Sequence, residues 1–184
     1  MTYKVSVLVG SLRKGSYNLA IANAIKAMAA PDLALRVSEI GDLPHYNPDI
    51  DGDAAPGPWA RLRDEIGGSD AVLFVTPEYN RSVPGVLKNA LDVGSRPYGK
   101  GVLIGKPAAI ISVSPGGMGA FGAAQHLRQS VACLNMPLLP APEVYIPGVG
   151  KLLDDDGKLI NEDTRKFLQG FANSFKAWIA KVGA

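Results

Sequence analysis

The stretch Val5-Ser6-Val7-Leu8-Val9-Gly10-Ser11-Leu12-Arg13-Lys14-Gly15-Ser16-Tyr17-Asn18 decides the fold of this chain. Its first five residues form a short, mostly apolar run, as in strands buried on both faces of a parallel sheet. A loop bounded by Gly10 and Gly15 follows. Asn18 is then in the position of an N-cap for a helical pattern whose apolar residues recur at Ile21, Ile25 and Met28. The stretch therefore predicts a buried strand, a glycine loop and a helix, in that order.

The same unit recurs along the chain. Further strands are predicted at 33–40, 71–75, 108–113 and 142–146, and further helices at 59–66, 84–93, 120–134 and from Asn161 to Val182. Strands that alternate with helices predict an α/β fold with a doubly wound parallel sheet of five strands. With right-handed crossovers, the flavodoxin-like order 2-1-3-4-5 is one of few simple solutions. No linker or repeat divides residues 1–184, so a single domain is expected.

Composition and charge argue against several classes of partner. The chain has 184 residues, with 19 Lys and Arg against 17 Asp and Glu, and its net charge of +2 is too small to indicate nucleic acid or an anionic membrane. Arg61 and Arg63 are interpreted as a solvated helix face rather than a basic patch. No apolar run is long enough to span a membrane. The one cysteine, Cys133, cannot form an internal disulfide, which favours a reducing compartment and hence a cytoplasmic protein, and its apolar neighbours predict a buried thiol.

The loop after the first strand has the composition of an anion site. Free N–H groups and the dipole at the start of the following helix favour a phosphate, while Ser11, Ser16 and Asn18 offer neutral donors and Arg13 a charged one. A Walker A loop would need Lys-Ser or Lys-Thr directly after Gly15, where this chain has Ser16-Tyr17. We therefore expect a monophosphate rather than a triphosphate. A plain glycine turn capped by Asn18 is the structural alternative.

The loop after the third strand, Thr76-Pro77-Glu78-Tyr79-Asn80-Arg81-Ser82-Val83-Pro84-Gly85, follows the most apolar run. Sheet topology places a ligand crevice at the carboxyl ends of such strands. Tyr79 can stack on a planar ring while Asn80 and backbone groups satisfy the polar edge of that ring. A simple turn is the alternative for this composition.

The loop after the fourth strand, Ser114-Pro115-Gly116-Gly117-Met118-Gly119-Ala120-Phe121-Gly122, contains a G-x-G-x-x-G pattern at Gly117, Gly119 and Gly122. A dinucleotide-binding motif should open a complete βαβαβ half, but only one strand and one helix follow here. The pattern is therefore interpreted as coincidental. The glycines are expected to let backbone N–H groups approach a flat ligand.

No residue is nominated as a catalytic group, and no metal site is expected. His45 and His126 are far apart in the sequence and have no other ligand at metal-binding spacing. Glu78 is a candidate proton donor, with a turn carboxylate facing water as the alternative.

Together, the three ordered loops resemble the NAD(P)H-dependent FMN reductase family, in particular its bacterial quinone and chromate reductases. The resemblance covers nearly the whole chain, including Leu43-Pro44-His45-Tyr46-Asn47-Pro48-Asp49. It implies a single FMN-binding domain with NADPH or NADH as co-substrate. The cofactor-binding residues implied are Ser11, Arg13, Ser16, Tyr17 and Asn18 for the phosphate, and Pro77, Glu78, Tyr79, Asn80, Ser114, Gly116 and Gly117 for the ring.

The resemblance also implies a reaction and an assembly. NAD(P)H would pass a hydride to flavin N5, and a small-molecule acceptor such as a quinone or chromate would then take two electrons. Homodimers or homotetramers are expected, with Tyr46 and Asn47 approaching a neighbouring subunit's site. The alternative is a flavodoxin-type carrier of single electrons without its own NAD(P)H reactivity. Such carriers are usually strongly acidic, and a net charge of +2 argues against that alternative.

Overall fold

The computed structural model describes residues 1–52 and 55–183. Its strands are β1 (Tyr3–Val9), β2 (Leu33–Ser38), β3 (Ala71–Thr76), β4 (Ala108–Val113) and β5 (Val144–Ile146). Its helices are α1 (Tyr17–Ala29), α2 (Gly57–Gly67), α3 (Gly85–Gly94), α4 (Phe121–Cys133) and α5 (Glu162–Val182).

The five strands form one sheet in the order β2-β1-β3-β4-β5, and every neighbouring pair is parallel. The predicted fold class and strand order are therefore confirmed. Residues of β3 and β4 are buried along their whole length, as their unbroken apolar runs predicted. The edge strand β2 alternates between buried and exposed residues. Because β1, β3 and β4 are adjacent, the loops that follow them meet at the carboxyl edge of the sheet.

Two apolar layers cover the sheet. On one face, α1 and α5 pack against alternate strand residues such as Val7, Leu73 and Ile111. On the other face, α2, α3 and α4 pack against residues such as Leu8 and Phe74. The aromatic residues of α5 belong to the first layer, where the rings of Phe171 and Phe175 lie 6.1 Å apart.

Two sequence-based details are wrong. Ser16, not Asn18, is the N-cap of α1: its Oγ accepts a hydrogen bond from the Leu19 N–H at 3.3 Å, and Asn18 is buried in the first turn. Cys133 is exposed rather than buried. Helix α4 buries Ala124, Leu127 and Val131, and a residue two positions after Val131 lies on the opposite side of the helix.

One of the two arginines of α2 also differs from expectation. Arg63 is not a solvated cation, because its side chain is only 15% exposed. Its guanidinium donates to both Asp51 carboxylate oxygens at 2.7 and 2.9 Å, and its Nε donates to the Val93 carbonyl. The pair ties the segment 43–52 to α2 and α3. Within the described residues, no helix combines the length and the apolar character needed to cross a membrane.

Candidate functional site

The loops after β1 and β3 touch at the carboxyl edge of the sheet. The Gly10 N–H donates to the Val75 carbonyl at 2.9 Å. A Cβ added at Gly10 would lie 3.1 Å from Pro77 Cδ and 3.2 Å from Leu87 Cδ2, closer than ordinary van der Waals contact. Glycine at position 10 therefore allows the two loops to approach each other.

The N-terminus of α1 is open to an anion. No acidic residue lies in its first turn, and across residues 1–52 and 55–183 no carboxylate accepts a hydrogen bond from it. Gly15 has φ +66°, a conformation that favours glycine, and so directs the chain into the Ser16 cap. Asn18 is 4% exposed, and its Oδ1 is buried without a partner among the described residues. Ser11 is half-buried and Arg13 is exposed.

A cavity of about 370 Å³ lies between these two loops. It brings together two residues predicted from the sequence, Arg13 and Tyr79. The Tyr79 side chain is 52% exposed, so its ring is available to stack on a ligand. The other residues that line the cavity were not nominated individually, but all except Val86 belong to the two loops predicted to hold a ligand: Gly10, Leu12, Pro84, Gly85 and Val86.

A tight turn at residues 79–82 completes the loop after β3. Asn80 and Arg81 have φ of 51° and 64°, and Tyr79 and Ser82 exchange two backbone hydrogen bonds at 3.1 and 2.9 Å. This pattern is a two-residue hairpin of the I′ type. Positive φ at two successive residues other than glycine is costly, and such strain persists where surrounding contacts hold it.

Glu78 faces the protein rather than water. Its side chain is 12% exposed and its two oxygens accept hydrogen bonds from Arg81 and from the Ala123 N–H in α4. The alternative of a turn carboxylate facing water is therefore wrong. Pro77 is half-buried, while Asn80 is exposed at the tip of the turn.

The glycines after β4 serve different purposes. Gly119 has φ +58°, and a Cβ there would lie 3.0 Å from the backbone of Tyr145 and Ile146; at Gly122 it would lie 2.9 Å from Glu78 Oε2. These two glycines allow protein to pack against protein, and their expected role beside a flat ligand stays a prediction. Gly117 is exposed and has open space. Ser114 Oγ accepts from the Gly116 N–H at 3.0 Å, which fixes the start of this loop.

The segment 43–52 crosses the outer side of α2 and α3. Asn89 accepts from the Tyr46 N–H, and the Tyr46 ring lies 5.3 Å from the Trp59 ring. Burial and a hydrogen bond to Asp51 raise the pKa of the Tyr46 phenol, while hydrogen bonds from Arg63 lower the pKa of the Asp51 carboxyl. The segment is thus held by contacts within its own chain, and the approach of Tyr46 and Asn47 to a neighbouring subunit stays a prediction.

A larger cavity, about 820 Å³, lies on the other side of α1. Its walls are the outer face of that helix and the turn 153–159, and neither the loop after β3 nor the loop after β4 contributes to it. Ser16 and Tyr17 border this cavity, and a Cβ at Gly150 would lie 3.2 Å from the Tyr17 hydroxyl. Tyr17 is therefore directed away from Tyr79 and toward the segment 149–151.

Comparison with known proteins agrees with this geometry. Residues 3–151 match the family model described as NADPH-dependent FMN reductase. A quinone reductase of Pseudomonas putida is 58% identical over 177 residues, which are 96% of this chain and 95% of that protein. A 2-hydroxy-1,4-benzoquinone reductase of a Burkholderia species is 45% identical over 97% of both chains. The solved structure of FerB, a flavoenzyme NAD(P)H:(acceptor) oxidoreductase from Paracoccus denitrificans, has 45% identity and a TM-score of 0.93 over the whole of both chains. These matches confirm the family expected from the three loops, and the chain therefore belongs to the NADPH-dependent FMN reductases, oxidoreductases that use FMN and NAD(P)H.

Proposed function

We propose that this chain is an NAD(P)H:quinone oxidoreductase with FMN as its resident cofactor. The net reaction is NAD(P)H plus H⁺ plus quinone giving NAD(P)⁺ plus quinol, so one hydride equivalent and one proton are transferred. The observation that carries the proposal is the cavity between the loops after β1 and β3, where the exposed guanidinium of Arg13, from the loop that leads into α1, and the exposed ring of Tyr79 both line the wall.

The residues at α1 fit the phosphate and ribityl groups of FMN. A dianionic phosphate suits a helix N-terminus without a nearby carboxylate, and Ser11, Ser16 and Arg13 would supply donors to it. The buried Oδ1 of Asn18 needs a hydrogen-bond donor, and a ribityl hydroxyl offers one. An apolar ligand would leave that atom unsatisfied.

The loops after β3 and β4 fit the flavin ring. We propose that Pro77, Tyr79 and Asn80 flank one edge of the ring and that Ser114, Gly116 and Gly117 flank the other. Backbone N–H groups of these loops would offset negative charge on the ring without a titrating side chain. When bound, FMN supplies hydride acceptance from NAD(P)H and two-electron delivery to the acceptor. No side chain is assigned as a general acid.

The rim of the cavity favours a flat apolar acceptor. Leu12 is 59% exposed and Tyr79 is 52% exposed, and both lie on the cavity wall. Exposed apolar groups around a cleft are typical of binding sites for ring-shaped ligands. The relatives described above are named for quinones, so the proposal commits to quinones rather than chromate. We also propose a homodimer or homotetramer, to be tested by analytical ultracentrifugation.

An anaerobic titration tests the reaction. The FMN-loaded protein is freed of excess flavin, and its visible spectrum is followed during addition of NADPH or NADH, then of a benzoquinone. We expect flavin absorbance to bleach completely with one equivalent of reductant and to return with one equivalent of quinone. Retained flavin that neither nicotinamide reduces would instead support a single-electron carrier. Failure to retain flavin would contradict the cofactor assignment.

Two neighbouring cations provide a matched test of the site. Arg13 lines the cavity, whereas Lys14 lines neither cavity, although both side chains are exposed. We expect Arg13→Met to raise the FMN dissociation constant about 10-fold, the loss of one charge-assisted hydrogen bond, and Lys14→Met to change it by less than about 2-fold. Flavin fluorescence quenching measures both. Equal effects would mean that general charge, not this site, attracts FMN.

A further inference from the structure

Glu78 makes two hydrogen bonds that leave it no role as a proton donor. Its Oε2 accepts from the Ala123 N–H at 3.1 Å, and its Oε1 accepts from Arg81 Nη1 at 3.0 Å. With the side chain only 12% exposed, both oxygens are directed at the protein. A general acid would need an oxygen free to face the substrate.

Helix α4 depends on this carboxylate at its start. The residue before the helix, Ala120, has φ 62° and no side chain that can cap, and the first turn contains no acidic residue. Ala123 is the third residue of α4, the position whose N–H an N-cap side chain normally satisfies. Glu78 therefore provides from another loop the cap that the local sequence lacks.

Gly122 gives independent support for the same contact. A Cβ at this position would lie 2.9 Å from Glu78 Oε2 and 3.1 Å from the Arg81 carbonyl oxygen. Its backbone φ is not in the left-handed region, so the turn itself does not require glycine there. The missing side chain instead leaves space for the carboxylate and for the turn that bears Arg81.

The turn at 79–82 is held to α4 at a second point. Ser82 Oγ lies 3.0 Å from His126 Nδ1, one helical turn beyond Ala123. The strained residues Asn80 and Arg81 thus lie between two attachments to one helix. Strain of this kind persists only when surrounding contacts hold it.

We propose that Glu78 is a positioning residue, which caps α4 and pairs with Arg81 so that the turn 79–82 keeps the conformation that presents Tyr79 and Asn80 to the flavin. The proposal rests on the proposed placement of the flavin ring beside this loop. Glu78 acts on the ring only through the backbone of the turn, and its carboxylate neither gives nor takes a proton in the reaction.

The test compares Glu78→Ala with Glu78→Gln. The glutamine amide oxygen can still accept from the Ala123 N–H, whereas alanine leaves that group unsatisfied. We expect Glu78→Ala to raise the FMN dissociation constant at least 10-fold and to speed hydrogen exchange at 79–82 and at Ala123. Glu78→Gln should return the dissociation constant to within about 3-fold of the parent protein, because most of the geometry survives. With FMN saturating, kcat of Glu78→Gln should stay within about 3-fold, since no proton transfer depends on the carboxylate.

Lys106→Met is the matched structural control. Lys106 also closes a helix end from another segment, donating to the carbonyls of Gly67, the last residue of α2, and of Ser69, at the edge of the sheet away from the cavity. We expect this variant to lower thermal stability without changing FMN affinity or exchange at 79–82. If Glu78→Ala does not fold, Gly122→Ala replaces it, because its Cβ displaces the same carboxylate and should give the same loss of affinity.

Three outcomes would overturn the proposal. One is a Glu78→Gln protein with unchanged FMN affinity but a kcat reduced 100-fold or more, which is the behaviour of a proton donor. Another is unchanged exchange at 79–82 in Glu78→Ala or Gly122→Ala. The third is a loss of affinity in Lys106→Met equal to that in Glu78→Ala. Hydrogen exchange is measured on flavin-free protein, so it tests the role of Glu78 in the turn even if FMN does not bind. Failure of the parent protein to bind FMN would contradict the proposed function instead.

Discussion

Helices α1 and α4 both begin at the carboxyl edge of the sheet after a glycine-bearing loop, but their N-termini differ in what occupies them. Ser16 caps α1 with a neutral hydroxyl and no carboxylate bonds to it within the described residues. The N-terminus of α4 already holds the Glu78 carboxylate. A carboxylate at a helix N-terminus satisfies the same N–H groups and the same dipole that would attract a phosphate. Of these two helix N-termini, that of α1 is therefore the one available for an external anion.

The comparison explains why the G-x-G-x-x-G pattern at 117–122 does not form a dinucleotide site. In such a site the pyrophosphate lies at the N-terminus of the helix that the motif opens. Here the Glu78 carboxylate occupies the N-terminus of α4. Gly122 has no side chain, which leaves space for that carboxylate. Gly119 packs against β5. The pattern therefore has a structural cause that is unrelated to nucleotides.

Placing a carboxylate at the N-terminus of α1, as Glu78 does at α4, is expected to have the largest free-energy effect of the three changes. Ser16→Asp places a carboxylate at the α1 N-cap, where aspartate caps as well as serine. Repulsion of a dianionic phosphate by one charge a few ångströms away should raise the FMN dissociation constant about 100-fold, or about 2.7 kcal/mol. Flavin fluorescence quenching measures the affinity, and calorimetry should show flavin-free stability within about 0.5 kcal/mol of the parent protein.

Ser16→Asn is the control for this change, because asparagine matches aspartate in size and in capping ability but has no charge. We expect it to weaken FMN binding by less than about 10-fold. If Ser16→Asn and Ser16→Asp weakened binding equally, steric exclusion would explain the result, and the open N-terminus would not be the reason for anion binding.

Asp51, like Glu78, is a carboxylate that forms an ion pair within the chain. It should contribute to the free energy of unfolding but not to FMN affinity. Asp51→Asn keeps the volume and removes the charge-assisted hydrogen bonds from Arg63, which should cost about 2 kcal/mol of unfolding free energy at pH 7. The folded-state pKa of Asp51 lies below its ordinary value of 3.8, so its contribution is present above that value and is lost as pH falls through the folded-state pKa.

Denaturant unfolding of both proteins from pH 7 to pH 3 measures this contribution. The stability difference between the parent and Asp51→Asn should be constant down to about pH 5 and should shrink below about pH 4. A difference that grows on acidification would contradict the assigned ion pair. The FMN dissociation constant should be the same within about 2-fold at pH 7.

Gly15→Ala should give the smallest effect of the three. Gly15 has φ +66°, and no atom lies within 4 Å of an added Cβ. The alanine variant should therefore lose only the cost of the left-handed backbone, about 1 kcal/mol of unfolding free energy. Gly15→Asn should cost less, because asparagine tolerates that conformation better. Thermal unfolding of the flavin-free proteins measures both. Equal stability of Gly15→Ala and the parent protein would mean that the loop relaxes to another conformation.

Much of the fold could be predicted because strands buried on both faces have unmistakable apolar runs. Residues 71–75 and 108–113 are such runs, and right-handed crossovers left the observed strand order as one of few simple solutions. Cap positions could not be predicted as well. Ser16 and Asn18 are both good N-caps, and the choice between them depends on where Gly15 turns the chain. The exposure of Cys133 depended on which face α4 buries.

The sequence by itself determined the α/β class, the loops at the carboxyl edge of the sheet and the family, because these depend on local periodicity and on motifs of contiguous residues, and it reduced the sheet order to a few solutions. Only the tertiary structure decided which polar groups are already satisfied. Glu78 bonds to Ala123 across 45 positions, and Asp51 and Arg63 pair across 12 positions. A hydrogen bond between distant segments leaves no periodic signal in either segment. The free donors of α1 and the occupied N-terminus of α4 therefore become distinguishable only once the chain has folded.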